Sequence, residues 1–112
     1  MLEKDFLLLL YREMLRIRLI EEEIERRYCE DEMKTPIHLV IGQEASSVGV
    51  CAALNKDDLV YSSHRTHGNY LAKGGSLKKM LSEFYCTGRN LSLGNRQCQK
   101  TEELVEVNIA TL

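Results

Sequence analysis

Residues 5–28 carry apolar side chains at Leu7, Leu10, Met14, Ile17, Ile24 and Tyr28, the three-and-four spacing that lines up on one face of an α-helix. Arg12, Arg16, Glu22 and Arg26 fall off that stripe. At 1.5 Å per residue such a helix is about 36 Å long. The whole chain has 112 residues, room for one small domain that buries roughly two thirds of its unfolded surface. A helix of that length outruns so small a core, and its stripe is expected to need a further partner.

Downstream the punctuation is frequent. Thr35-Pro36 interrupts the helical pattern, because proline has no N–H to donate and restricts the residue before it. A short apolar run follows and holds His38. Residues 42–54 return to helical spacing, with Ala45, Val48, Cys51 and Ala52 on one side, and Ala45, Ser46, Gly49 and Ala53 are small enough to suit close approach to a neighbour. A polar turn at residues 55–58 leads to Leu59-Val60-Tyr61, the one convincing strand. Residues 69–73 suit a short helix stopped by Gly74-Gly75. Ser76 is a good N-cap for a last helix over residues 77–85, whose apolar face is Leu77, Met80, Leu81 and Phe84. Residues 87–100 are polar, and residues 101–112 fit a weak helix or a strand equally well.

Composition excludes several classes. The net charge is −2 with both signs interspersed, unlike the basic face of a nucleic-acid binder. No run approaches the about 20 apolar residues needed to span a bilayer, and no secretory leader is recognisable; neither nucleic acid nor membrane is an expected partner. Cys29, Cys51, Cys86 and Cys98 form no Cys-x-x-Cys pair, so scattered free thiols and a cytoplasmic location are expected. Phosphate-loop, dinucleotide-fold and nucleophile-elbow motifs are missing.

The chemistry-bearing segment is Ser62-Ser63-His64-Arg65-Thr66-His67-Gly68, just beyond the expected strand. Guanidinium and hydroxyl groups bind phosphate oxygens, imidazole carries protons near neutrality, and α/β proteins place ligands at strand ends. A solvated turn has the same composition. Zinc needs more ligands than His64 and His67 supply, so no metal site is expected. His38 suits a satisfied core histidine as well as a site residue. Gly42-Gln43-Glu44 at a helix start suits anion binding or simple capping.

Four motifs in order narrow the choice: His38-Leu-Val-Ile-Gly42-Gln-Glu-Ala45, Val48-Gly-Val-Cys-Ala-Ala-Leu54, His64-Arg-Thr-His-Gly68 and Leu71-Ala-Lys-Gly74. Together they resemble the alpha subunit of the thiamine-diphosphate-dependent component of pyruvate, branched-chain 2-oxo acid and acetoin dehydrogenase complexes, from about residue 6 to residue 85. The resemblance implies an α/β thiamine-diphosphate-binding fold, here truncated and mainly α-helical with one or two short strands. It implies that His38, His64 and Arg65 bind the cofactor, and that His38 and His67 act at the reacting centre. His at position 64, rather than Tyr, hints at the acetoin branch. The implied reaction is oxidative decarboxylation of a 2-oxo acid, or acetoin cleavage, with acyl transfer to a lipoyl group. The implied partners are a beta subunit and a lipoyl-bearing acyltransferase.

The resemblance stops after Tyr85, where the family continues with a glycine-rich loop and this chain has Cys86-Thr-Gly-Arg-Asn. No Gly-Asp pair occurs, so the family's Gly-Asp-Gly…Asn motif, which holds Mg²⁺ and the diphosphate, is missing. The expected organisation is therefore residues 1–86 as the N-terminal part of the alpha-subunit domain and residues 87–112 as a divergent tail. Such a chain is expected to be inactive alone and to bind the cofactor poorly. The competing expectation is a non-catalytic helical module that pairs through the first stripe.

Overall fold

The computed structural model describes residues 2–33, 36–62 and 64–85. Four helices follow in order: α1 (Lys4–Tyr28), α2 (Glu44–Ala52), α3 (Thr66–Ala72) and α4 (Leu77–Phe84). The first three pack on one another in every pairing. The core joins Ile17 and Ile24 of α1, Val48 of α2, Tyr70 and Leu71 of α3, Met80 and Phe84 of α4, and Met33 and Val40 from the connection between α1 and α2.

The α1 stripe is interior only over its second half. Ile17 and Ile24 are buried, Leu10 and Met14 partly so, while Leu7 and Tyr28 stand in solvent. The third buried position of α1 is a carboxylate, Glu21. Phe6, Leu8, Leu9, Tyr11, Leu15 and Leu19 are exposed as well, in keeping with a helix longer than the core it covers. α4 follows its expected face, with Met80 and Phe84 buried, Leu77 and Leu81 at the margin, and the Ser76 hydroxyl accepting from Lys79 N–H at 3.4 Å.

Two expectations are corrected. Residues 59–61 form no strand, and no strand occurs among the described residues. An extended segment becomes a strand only by hydrogen-bonding to a neighbour; this one has none, and Leu59 and Tyr61 project outward at 58% and 85% exposure. The small-residue face of α2 is also not a close contact: Ala45, Ser46, Gly49 and Ala53 are exposed. Close approach occurs instead at Gly68, against Val40.

α3 begins earlier than its expected start at residue 69 and takes in Thr66, His67 and Gly68. Three of the seven loop residues thus form the first turn of a helix, and all three are buried. The helix ends as Gly74-Gly75 requires. Gly74, at φ 94°, donates to Leu71 O at 3.0 Å and Gly75 donates to Tyr70 O at 2.9 Å, the paired bonds of a left-handed C-terminal cap. Lys73 Nζ then reaches the Asn55 carbonyl at 2.6 Å and ties α3 to the turn after α2.

Candidate functional site

Two segments face each other across the α2 and α3 N-termini. The first, residues 36–43, is extended and then turns at Gly42, whose φ of 88° favours glycine. Gln43 N–H donates to Val40 O at 2.8 Å across that turn. Glu44 secures it from the helix side, its Oε2 accepting from Gly42 N–H at 3.0 Å while the carboxylate pairs with Arg18 of α1. That guanidinium holds the buried Glu44 carboxyl below the usual carboxylate range, against an opposing push from burial. Gly42-Gln43-Glu44 therefore makes a self-contained cap, and its acidic side chain occupies the Gly42 amide.

The second segment is the turn carrying His64 and Arg65 into α3. The His38 and His64 rings meet edge-on, centroids 4.9 Å apart and planes at 80°. Arg65 Nη1 lies 3.3 Å from His64 Nε2. Its Nε donates to the Leu39 carbonyl at 2.9 Å, so the guanidinium is pinned along one edge and leaves its remaining N–H groups to bind. Both histidines are exposed and Arg65 is half-buried. Beside them Val40, Gln43, Ser46, Ser47, Arg65 and Asn69 line a cleft of about 220 Å³. Three of the four residues singled out from the sequence thus converge at one surface, although residues 38 and 64 are far apart in the chain.

His67 is elsewhere. It is 1% exposed, its Nε2 is 2.7 Å from Glu21 Oε1, and its ring stands edge-on to Phe84 at 5.9 Å. His64 is exposed while His67 is buried against Glu21, so the two rings have different surroundings and do not form a ligand pair. No group of three or more metal-ligating side chains occurs among the described residues. Ser63 lies outside the described residues, as do Cys86, Cys98 and the expected tail.

Sequence reasoning missed Glu21 and the polar lining from α2 and α3. Glu21 carried a signal: an acidic residue four after Ile17 and three before Ile24, squarely on the apolar stripe. Ser46, Ser47 and Asn69 carried none, since nothing local distinguishes a cleft-lining serine from a surface one. A larger cavity of about 320 Å³ lies between α1 and α4, lined mainly by Leu19, Ile20, Ile24, Met33, Leu81 and Tyr85. It is apolar, and its two charged residues, Glu23 and Arg27, are paired to each other. The polar cleft is the one equipped for chemistry.

The family model described as Dehydrogenase E1 component matches residues 12–111. The acetoin:2,6-dichlorophenolindophenol oxidoreductase alpha subunit of Bacillus subtilis is 36% identical over 93 residues, covering 83% of this chain and 28% of that protein. Its counterpart from Cupriavidus necator is 36% identical over 98 residues, 82% of this chain and 29% of that protein. The pyruvate dehydrogenase E1 component alpha subunit of Rhizobium meliloti is 43% identical over 79 residues, 70% of this chain and 22% of that protein. The chain therefore spans less than a third of the length of these relatives. No solved structure matches significantly.

Proposed function

The chain belongs to the dehydrogenase E1 component family, and from that premise we propose that it is part of an alpha subunit in which His38, His64 and Arg65 help to hold the diphosphate of thiamine diphosphate. The observation that carries this reading is their convergence: two rings in edge contact and, beside one of them, a guanidinium that also lines a polar cleft. Diphosphate oxygens accept hydrogen bonds from imidazole and guanidinium N–H groups, and Arg65 is held in place by the Leu39 carbonyl before any ligand arrives. The donor set fits an anion. It does not fit a divalent cation, and with no Gly-Asp pair in the sequence the chain offers Mg²⁺ no ligand set of the family's kind.

When bound, the cofactor supplies the electron sink for cleavage beside a carbonyl. The part of this chain is narrower. Arg65 offsets diphosphate charge, His64, whose Nε2 accepts from Arg65, offers its other ring N–H, and exposed His38 is placed beside it to hold or pass a proton. His67, expected at the reacting centre, is given a role from behind the site, through Glu21. The reaction proposed for the assembled enzyme is oxidative decarboxylation of a 2-oxo acid or acetoin cleavage, with acyl transfer to lipoyl. His64 favours the acetoin branch. A beta subunit and a lipoyl-bearing acyltransferase are the proposed partners, and the exposed Leu8, Leu15 and Leu19 of α1 suit burial against such a subunit. The cytoplasm is the proposed compartment, in line with free Cys29 and Cys51.

The test is nuclear magnetic resonance of the 112-residue chain, titrated with sodium pyrophosphate and with thiamine diphosphate plus Mg²⁺. Saturable shifts at His38, His64 and Arg65 with a Kd on the order of 1 mM are expected, the affinity of a few solvent-exposed charge-assisted bonds. His38→Ala and Arg65→Ala should each weaken them. Shifts that map elsewhere, or none at all, overturn the assignment.

A further inference from the structure

Glu21 is fully buried between Ile17 and Ile24 on α1. A carboxylate there is costly unless its oxygens are engaged, and an apolar residue at that position would simply have continued the stripe. Its two oxygens hold two different pieces of chain. Oε2 accepts from the Val40 N–H at 3.1 Å, and Oε1 lies at ion-pair distance, 2.7 Å, from His67 Nε2 without the alignment of a hydrogen bond. Val40 lies two residues after His38, and His67 two residues after Arg65. The same carboxylate therefore contacts the root of both arms, the one that carries His38 and the one that carries His64 and Arg65. Among the described residues the arms also touch at the Arg65–Leu39 hydrogen bond, the ring contact of His38 with His64, and the close approach of Gly68 to Val40.

We propose that Glu21 is a positioning residue for the anion site, fixing the His38 arm and the His64–Arg65 arm at their mutual distance by binding Val40 and His67 at once. The proposal rests on the reading that these arms form one ligand site, although neither Glu21 nor His67 touches a ligand. The geometry demands one side chain long enough to reach both arms at once. Aspartate is a methylene shorter, so it can serve one arm only by releasing the other.

The experiment compares the full chain with Glu21→Asp and Glu21→Leu by amide hydrogen exchange, by the nuclear Overhauser effect between the His38 and His64 rings, and by pyrophosphate titration. Glu21→Leu is expected to keep the helical circular-dichroism signal, to lose Val40 amide protection and the ring–ring effect, and to weaken pyrophosphate binding about tenfold, as for one misplaced charge-assisted bond. Should that variant fail to fold, Glu21→Asp decides: its shorter carboxylate should keep the fold while Val40 protection and the ring–ring effect both fall, with a smaller loss of affinity. A folded variant that retains both the ring–ring effect and wild-type affinity overturns the proposal. If wild type itself gives no pyrophosphate response, the ligand reading falls alone, and Val40 protection with the ring–ring effect still decides the positioning role.

Discussion

Gly68 runs so close to Val40 that a Cβ at that glycine would lie 2.9 Å from both valine Cγ atoms. Alanine there must push α3 and the His38 segment apart, or force Val40 off its rotamer. Overpacking of this kind costs about 1–3 kcal/mol, against roughly 1 kcal/mol regained from better helix propensity. Gly68→Ala is therefore expected to be net destabilising by about 1 kcal/mol in urea denaturation. Gly49, mid-helix in α2, has nothing within 4 Å of its would-be Cβ, so Gly49→Ala should stabilise by about 0.5–1 kcal/mol. Equal effects at the two glycines would contradict the packing.

Acid sensitivity should trace to Glu44. Its carboxyl titrates below the ordinary glutamate value, chiefly because Arg18 hydrogen-bonds the charged form. The native state then binds fewer protons than the unfolded chain in the window between the two values. The stabilisation is complete above the unfolded value and disappears as pH falls through the folded one. Arg18→Met should lower Tm by a few degrees at neutral pH, and the gap to wild type should close as pH falls below about 4. Glu23, held at about 2 between Arg26 and Arg27 on the surface, is common to both proteins and cancels in the comparison. A gap that persists unchanged in acid would show that Arg18 stabilises by packing rather than by charge.

The thiols should separate by reactivity. Cys51 is half-buried beneath Asn69, and burial pushes its thiol up, with Lys73 offsetting part of the rise. Cys29 is free and exposed at the end of α1. Alkylation proceeds through the thiolate, whose population falls about tenfold per unit that the pKa rises. Iodoacetamide at pH about 8 is expected to label Cys29 well ahead of Cys51, read by peptide mass spectrometry. Faster labelling of Cys51 would contradict its shelter beneath Asn69.

Much of the helical content is legible in the sequence alone, because helix signals are local. The α1 periodicity, the Ser76 cap and the Gly74-Gly75 stop each act within about one turn of chain, and each has its expected effect. The strand at residues 59–61 failed because strand formation needs a partner that local sequence does not name. The early start of α3 was illegible for a related reason: Thr66, His67 and Gly68 look polar or flexible in isolation, and only the interior formed by α1 and Val40 makes them helical and buried.

The order of the four motifs was enough, by itself, to place the chain among dehydrogenase alpha subunits and to nominate His38, His64, Arg65 and His67. What the tertiary structure alone decided is which of the nominated residues share a surface. Contacts such as Arg65 to Leu39 and Val40 to Glu21 join positions 26 and 19 residues apart. They set His67 inward and His64 outward although the two are near neighbours in sequence. The physical reason is that burial is a property of the assembled core: His67 goes inside beside Glu21 of α1, and no local pattern specifies that meeting.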